Sequence, residues 1–415
     1  AKFSFMEELK TYRLADICNS IQTGPFGSQL HKSDYVEFGT PIVMPKDITN
    51  GKINDNNISR ISKNDVAKLF KHKLVSGNII YPRRGDISKC ALITSKEDGW
   101  VCGTGCIKVD INQQIANSTY VMYVLCQSET VNWIESNAVG TTMLNLNTSI
   151  LSDLPIKLPS LNTQKKLANI VSSFDKKIAL NRRINDNLEQ QAQALFKSWF
   201  VEKPNPQWTK GSLSDIASFV GGYSYKGDEL VDSSNTGMAT IKNYNRSGGF
   251  KTDGFKAINP SDKVKNAQYA ELFEILVAHT DLTQNAEVIG NAELVLSLGE
   301  YNKIIFSMDL VKVLPSSSFP YRFLIAAMLK NKLFKGHCQG YVNGTTVLHL
   351  NKKALPEYKV MIPTDTEAKK MNEILGGYYK RMSENLKESD MLEQLRDTIL
   401  PKLMSGELKI NDLNC

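Results

Sequence analysis

The side chains of this sequence that could do chemistry gather in loops dense in Arg, Lys, Asn, Gln, Thr and Tyr. Arg or Lys can reach the acceptors of guanine, Asn or Gln the donor and acceptor of adenine, and Ser or Thr either, while basic groups also anchor phosphate. In the first half of the chain the candidates are Thr23, Phe26, Ser28, Gln29, Lys46, Arg83, Arg84, Thr141 and Thr142. In the second half they are Tyr223, Tyr225 and Lys226, then Lys242, Asn243, Tyr244, Asn245 and Arg246. His279, Thr280, Asp281, Thr283 and Gln284 follow, with Thr345 and Thr346 closing the set. Basic residues interleaved with Tyr and Asn suit phosphate anchoring plus base contact, and the same composition also occurs in ordinary solvated loops. The Thr-Thr pair occurs in both halves, so it suits structure or phosphate contact better than discrimination between bases.

Catalytic chemistry finds no comparable home. An adenine methyltransferase needs an Asn/Asp-Pro-Pro-aromatic turn, and Asn205, Pro206, Gln207 and Trp208 lack the second proline. A metal-assisted nuclease needs clustered carboxylates with a Lys. Asp365, Glu367 and Lys369 have that local spacing, but Thr364 with Glu367 reads better as a helix capping box. The Gly-rich turns around Gly24 and Gly222 lack the Lys-Ser/Thr ending of a phosphate-binding loop, and the five histidines carry no Ser-His or Cys-His signature. Cys102 and Cys106 have no second pair nearby, so buried thiols are the better reading and no metal is expected.

The elements that must position these loops follow from size and from an internal repeat. A chain of 415 residues, 41% hydrophobic and 22% charged, suits two or three folded domains. Seven cysteines without a framework of spacings imply reduced thiols. The net charge of +7 is a mild bias towards polyanions. No run approaches the roughly 18 apolar residues of a membrane span, and residues 1–10 lack the apolar core of a signal peptide, so a cytoplasmic setting is expected.

The segment Gly140, Thr141, Thr142, Met143, Leu144, Asn145, Leu146, Asn147 recurs 204 residues later from Gly344 as Gly-Thr-Thr-Val-Leu-His-Leu-Asn. The register then holds without a gap: Leu151 meets Leu355, Pro159 meets Pro363, Ile170 meets Ile374, Asn181 meets Asn385 and Leu188 meets Leu392. Upstream the copies drift, Leu14 to Ile17 resembling Leu213 to Ile216 and Asn78 to Tyr81 resembling Glu274 to Val277. The tails are closely matched and the heads have diverged.

Each tail reads as a long amphipathic helix. The first presents Leu167, Ile170, Phe174, Ile178, Leu188 and Leu195; the second presents Ile374, Tyr378, Met382, Leu392 and Ile399. Residues 164–200 would span about 55 Å. Ser160 or Asn162 can cap the first helix, Pro204 and Pro206 end it, and Pro401 ends or kinks the second. A stripe this narrow wants one partner, and the duplicate supplies it as an antiparallel coiled coil about a pseudo-twofold axis. Asn181 and Asn385 could set register there or face solvent. The heads read as α+β: β-prone runs at 78–81, 90–94, 106–109, 304–306 and 310–313, with helices over 119–136 and 321–335. The expected domains are 1–163, a helix 164–203, a second head 204–366, and a helix with tail 367–415.

These residues resemble the DNA-specificity subunits of type I restriction–modification systems. The resemblance rests on Leu14 to Ile17 with Thr23 to Gly27, on Gly140-Thr-Thr with Leu146-Asn147 and Leu158-Pro159, and on the helix ending Leu195-Phe-Lys-Ser-Trp-Phe200. It rests further on Val277-Ala-His-Thr-Asp-Leu-Thr-Gln284 and on Leu400-Pro-Lys-Leu-Met-Ser-Gly-Glu-Leu408. It implies two target-recognition domains reading the halves of a split asymmetric site in double-stranded DNA, with the helices acting as a ruler. It also implies two methyltransferase subunits and restriction subunits as partners, which carry S-adenosylmethionine and ATP with Mg, leaving this chain without cofactor or catalysis. His349 departs from Asn145 of the first copy. On the residues alone, a coiled-coil scaffold whose heads bind protein or glycan stays open, and so does the weaker alternative of an enzyme.

Overall fold

Ile79, Ile80 and Tyr81 are buried and form the middle of a strand, Asn78–Pro82, around which the first head is built. It lies in an antiparallel sheet ordered Cys18–Thr23, Cys106–Ile111, Asn78–Pro82, Ala91–Leu92. A second sheet runs Tyr35–Val36, Arg60–Ile61, Thr40–Val43, Val101–Cys102, its last pair parallel. The second head repeats the order of the first sheet and three consecutive strands of the second, its fourth strand standing at the opposite edge. Ala217–Gly221, Leu310–Pro315, Ile275–Ala278 and Ala292–Leu294 form one sheet, and Lys256–Ala257, Thr236–Ala239, Lys303–Phe306 and Tyr269–Ala270 the other, again with one parallel pair. Cys106–Ile111 alternates Ile and Val with Lys and Asp, as a half-covered pleated surface selects, whereas the central strands Asn78–Pro82 and Ile275–Ala278 are buried throughout.

The computed structural model describes residues 9–49, 51–140, 144–246, 248–283, 285–345, 347–405 and 407. Two compact units divide the chain: Ala1–Lys176 with Glu393–Cys415, and Lys177–Leu392. The division falls inside both long helices, not at their ends, where the sequence-based segments were drawn. The helices are Leu161–Lys197 and Asp365–Ser405, each beginning slightly ahead of the expected position.

Each head carries a helix pair where one helix was expected: Ser118–Leu125 and Ser128–Asn137, then Arg322–Leu329 and Lys332–Gln339. The break in the second pair is Asn331, whose Oδ1 accepts the N–H groups of Leu333 (2.8 Å) and Phe334 (3.2 Å) and so restarts the helix. Leu324 to Leu329 are buried almost completely, which makes this helix part of the core and not a surface element.

The long helices take their caps from the sequence. Ser160 Oγ accepts Thr163 N–H (3.4 Å). Thr364 Oγ1 accepts Glu367 N–H (3.4 Å) while the Glu367 carboxylate accepts Thr364 N–H (3.3 Å), a reciprocal box. That carboxylate also takes the Asn205 amide (3.0 Å) and the Trp208 indole N–H (2.8 Å).

Within the first unit, Leu167, Ala168 and Val171 share a core with Leu400 and Leu403, with Ile399 packed against it, and Arg396 bonds Asp175 at 2.7 Å. Burial of Leu400 and Leu403 explains why the second helix runs through Pro401 to Ser405 instead of ending there: the lost backbone bond is outweighed by apolar contact on both sides of the proline.

Within the second unit, Ala192 and Phe196, with Leu188 beside them, pack with Ala368, Met371, Leu375, Tyr379 and Met382, and Tyr378 lies against the same core. Ile374, expected in the seam, is 37% exposed, because it lies one position from Leu375 and is turned about 100° away from that buried line. Ile170, Phe174, Ile178, Leu195 and Leu392 are half-buried.

Asn181 and Asn385, each 1% exposed, lie between the helices. Asn181 Nδ2 donates to Asn385 O (3.3 Å), Glu388 Oε2 (2.8 Å) and Ser389 Oγ (3.3 Å), and Asn385 Nδ2 donates to Asn185 Oδ1 (2.8 Å). Among the described residues no helix is long and apolar enough to cross a membrane.

Candidate nucleic-acid interface

In the first unit Arg83 and Arg84 follow directly on the buried strand Asn78–Pro82, so the core fixes where they begin. Arg83 N–H bonds Gly105 O (2.6 Å), and Arg83 O accepts Leu146 N–H (2.8 Å). Arg84 forms a bridge with Asn145, which in turn faces Val139 across a hairpin. Gly140, with φ +115°, turns the chain into that hairpin. Thr141 and Thr142 lie outside the described residues.

The second unit builds the same frame with other side chains. His279 N–H bonds Asp309 O (2.8 Å), and His279 O accepts Leu350 N–H (2.8 Å). Thr280 pairs with His349, which faces Asn343 across the corresponding hairpin, and Gly344 has φ +114°. Thr345 is exposed in that hairpin, while Thr346 and Gln284 lie outside the described residues. Arg83 and Arg84 thus correspond to His279 and Thr280, and Asn145 to His349. Asn145 and His349 are not among the candidate base-contacting residues, and their spacing of 204 is the signal in the sequence that pairs them.

A second element recurs beside the first. The 3₁₀ turns Pro45–Asp47 and Ile241–Asn243 present Lys46 and Lys242 to solvent. Each turn is closed from its third residue: Asp47 Oδ2 accepts Met44 N–H (2.9 Å), and Asn243 Oδ1 accepts Thr240 N–H (2.8 Å). In the second unit Asn291 Nδ2 bonds Asn245 O (3.2 Å) and Arg246 pairs with Glu287 (3.2 Å), which holds the Lys242 turn next to the loop after His279.

Gly24 and Gly222 have matching roles. A Cβ on Gly24 would lie 2.1 Å from Gly103 O, and one on Gly222 would lie 1.9 Å from Ser307 O. Two backbones cross there too closely for any side chain. Beyond Gly24 the loop is exposed, with Phe26, Ser28 and Gln29 at the surface, Thr23 half-buried, and Phe26 N–H bonded to Gln29 Oε1 (3.0 Å).

Several candidates turn out to be scaffold. Asn243 is 0% exposed and donates to Lys251 O (2.8 Å) in addition to closing its turn. Tyr223 is buried, its hydroxyl bonded to Glu229 (2.8 Å) and Ser261 (2.8 Å), and Tyr244 is buried in an aromatic group with Phe250. Thr280 bonds Asp309 through its hydroxyl (2.9 Å). Asp281 is buried and accepts Thr283 N–H (2.8 Å), Thr283 Oγ1 (2.8 Å) and Val288 N–H (2.7 Å). Burial works against its negative charge, but those bonds and the Arg246 charge prevail and hold its pKa below the usual carboxylate value. Burial first, then the nearby His349 and Lys352, lower the pKa of His279 and favour its neutral form. Asn243, Tyr223, Tyr244, Thr280 and Asp281 are thus buried in the fold, and His279 is half-buried. Lys46, Arg84, Lys226, Lys242 and Arg246 are exposed, and Arg83, Tyr225, Asn245, His279 and Thr283 are half-buried.

Cys102 and Cys106 are buried, Cys106 Sγ lying 3.4 Å from Val43 O. Among the described residues no cluster of His, Cys, Asp and Glu is placed to hold a metal ion.

The chain is 28% identical over 214 residues to the type I restriction enzyme HindI specificity subunit of Haemophilus influenzae, which covers 51% of this chain and 44% of that protein. It is 24% identical over 402 residues to the type I restriction enzyme MjaIX specificity subunit of Methanocaldococcus jannaschii, covering 90% and 88%. The alignment thus spans less than half of the Haemophilus relative and most of the Methanocaldococcus one. The type I restriction–modification S subunit from M. genitalium has the same fold, with a TM-score of 0.60 at 19% identity over 97% of this chain and 98% of that one. Residues 6–190 and 205–394 each match the type I restriction modification DNA specificity domain, and the chain, carrying that domain twice, belongs to this family.

Proposed function

We propose that the chain is the subunit that reads duplex DNA for a type I restriction–modification complex, each head reading one half of a bipartite, asymmetric site. The observation that carries this reading is a common backbone frame bearing different side chains: Arg83 and the exposed Arg84 in one unit stand where the other has half-buried His279 and buried Thr280, so the two guanidinium groups of the first have no counterpart in the second. A common frame supplies a common way of docking, and different donors and acceptors supply different half-sites. Exposed Lys46, Arg84, Lys242 and Arg246 suit phosphate or guanine.

The long helices pair as an antiparallel coiled coil about a pseudo-twofold axis, and their length fixes the number of unread base pairs. A helix of 37 residues is about 55 Å long, somewhat more than one DNA turn of roughly 34–36 Å. Two methyltransferase subunits, joined by restriction subunits, seat on this chain, so S-adenosylmethionine and ATP with Mg act in the partners and the chain performs no catalysis.

The test is to express the complex and map methylated adenines across a host genome by single-molecule sequencing. Exchanging residues 204–366 for those of a relative changes one half-site and leaves the other; a change in both halves, or in neither, refutes the reading. Inserting four residues into both helices changes the spacer alone.

A further inference from the structure

The loop that follows the site strand differs between the units. In the first unit Ile79 faces Leu92 across the strand pair, and in the second Ile275 faces Leu294, so the connecting chain is six residues longer in the second. Both loops open on the same local motif. In the first, Asp86 Oδ1 accepts the N–H (3.3 Å) and the hydroxyl of Ser88; in the second, Asp281 Oδ1 accepts the N–H and hydroxyl of Thr283, both at 2.8 Å.

The apolar residue in the middle of the motif has opposite fates. Ile87 is 1% exposed in the first core, whereas Leu282 is 67% exposed. Counted back from the paired strands, the place of Ile87 is taken in the second unit by Ile289, which is fully buried. The core is complete without Leu282, and the added residues carry it outward.

The longer loop is held firmly. Asp281 Oδ2 accepts Val288 N–H (2.7 Å) from its far side, Lys335 Nζ bonds Glu287 O (2.6 Å), and Arg246 pairs with Glu287 (3.2 Å). Leu282 thus projects from a braced loop beside His279, with cations of Arg246 and Lys335 bound to that loop. Leu282 is set apart from the other exposed apolar side chains by its place, on a braced loop next to the site strand and among basic groups. On duplex DNA one base offers it a partner, since thymine alone presents a methyl group in the major groove.

We propose that Leu282 makes an apolar contact with the C5-methyl of one thymine in the half-site read by the second head, a contact that the first head lacks. The inference rests on the DNA-reading function above. Once that half-site has been mapped, each of its thymines in turn is replaced by deoxyuridine, which differs only by the methyl group, and binding of the complex is measured for wild type, Leu282→Ala and Leu282→Gln.

At one position deoxyuridine weakens wild-type binding by about fourfold, the value of one buried methyl group. Both variants bind the thymine site more weakly by a similar factor and no longer distinguish thymine from deoxyuridine there. A half-site without thymine, no sensitive position, or equal sensitivity in wild type and variants overturns the proposal. If wild type shows no sequence-selective binding, it is the DNA-reading function that fails. Because Leu282 is exposed, thermal melting of the variants matches wild type, and a large drop would show that the residue belongs to the core after all.

Discussion

Replacing Lys330 by Met strands two carboxylates inside the second unit. Lys330 Nζ pairs with Glu293 and lies 3.3 Å from Glu189, with the Tyr379 ring 5.9 Å away, and the side chains of Lys330 and Glu293 are each 7% exposed. Burial opposes the ammonium charge, but Glu189 and Glu293 outweigh it and hold the pKa above the ordinary lysine value. A raised folded-state pKa means that this stabilisation is complete below the unfolded value near 10.4 and fades as pH climbs past it, so it is constant across neutral pH. Removing one partner of a buried ionic group costs about 3–5 kcal/mol. With a urea dependence of about 2–3 kcal/mol per molar, the unfolding midpoint falls by about 1–2 M. Urea unfolding at pH 7, followed by tryptophan fluorescence with Trp199 and Trp208 reporting on the second unit, measures it. Adding Glu293→Gln removes one stranded charge while leaving an oxygen for Gly249 N–H, which Glu293 Oε1 accepts at 2.6 Å, and recovers at least half of the loss. A loss below about 1 kcal/mol, or a double variant no better than the single, refutes this account of the cluster.

Four further outcomes follow from the geometry. Thr364→Ala removes the cap of the second long helix and destabilises the second unit by about 1 kcal/mol in thermal or urea unfolding. The Thr364 hydroxyl, then Asn205 and Trp208, lower the pKa of its partner Glu367 to about 2. A depressed folded-state value means that the contribution of Glu367 is present above about pH 4.3 and is lost as pH falls towards 2, so Glu367→Gln flattens the acid limb of the stability profile. Gly24→Ala and Gly222→Ala drive a Cβ onto a carbonyl oxygen and destabilise by about 1–3 kcal/mol, whereas Gly27→Ala, with no atom within 4 Å of the new Cβ, is close to neutral; equal melting of all three would contradict the crossing geometry. Alanine at Lys46, Arg84, Lys242 and Arg246 lowers the salt dependence of DNA binding by about one unit of slope for each phosphate left without its cation, and an unchanged slope in the quadruple variant removes these residues from the interface.

The repeat, the long helices and the Thr364 box were legible because each is a local pattern: fixed spacing, helical period, or a donor three residues from its acceptor. The helix-pairing residues were partly legible. A stripe of period 3.6 marks a face but not its edge, which is why Ile374 was placed in a seam whose buried line runs through Leu375. Pro401 was read by its local effect, and the remote contacts of Leu400 and Leu403 override that. Among the site candidates, composition did not separate the exposed side chains from those buried in the scaffold. Asn243 and Asp281 have the side chains of base readers and serve instead to close their own turns, a use that depends on which backbone N–H groups lie nearby. Leu282, being apolar, carries no polar signal in the sequence, and its exposure follows from a loop length that shows only when the two units are set side by side.

The buried asparagines show why the matched tails and divergent heads belong to one design. Asn181 and Asn385 are bonded through their amide nitrogens, yet the Oδ1 of each is buried without a partner among the described residues. A buried acceptor left unmet costs about 1–3 kcal/mol, so leucine at both positions would hold the helices more tightly. What leucine would lose is register. A leucine seam tolerates a shift along the helix, whereas Asn181 reaching Glu388 and Asn385 reaching Asn185 define one alignment within the second unit. If helix length sets the spacing of two half-sites, a slip of one turn, about 5.4 Å, would shift that spacing by more than one base pair, and neither head could compensate by changing its own contacts. Register is therefore a property that stability can be given up for in the tails, while the heads, standing on a frame held by backbone bonds, are free to change the side chains they present.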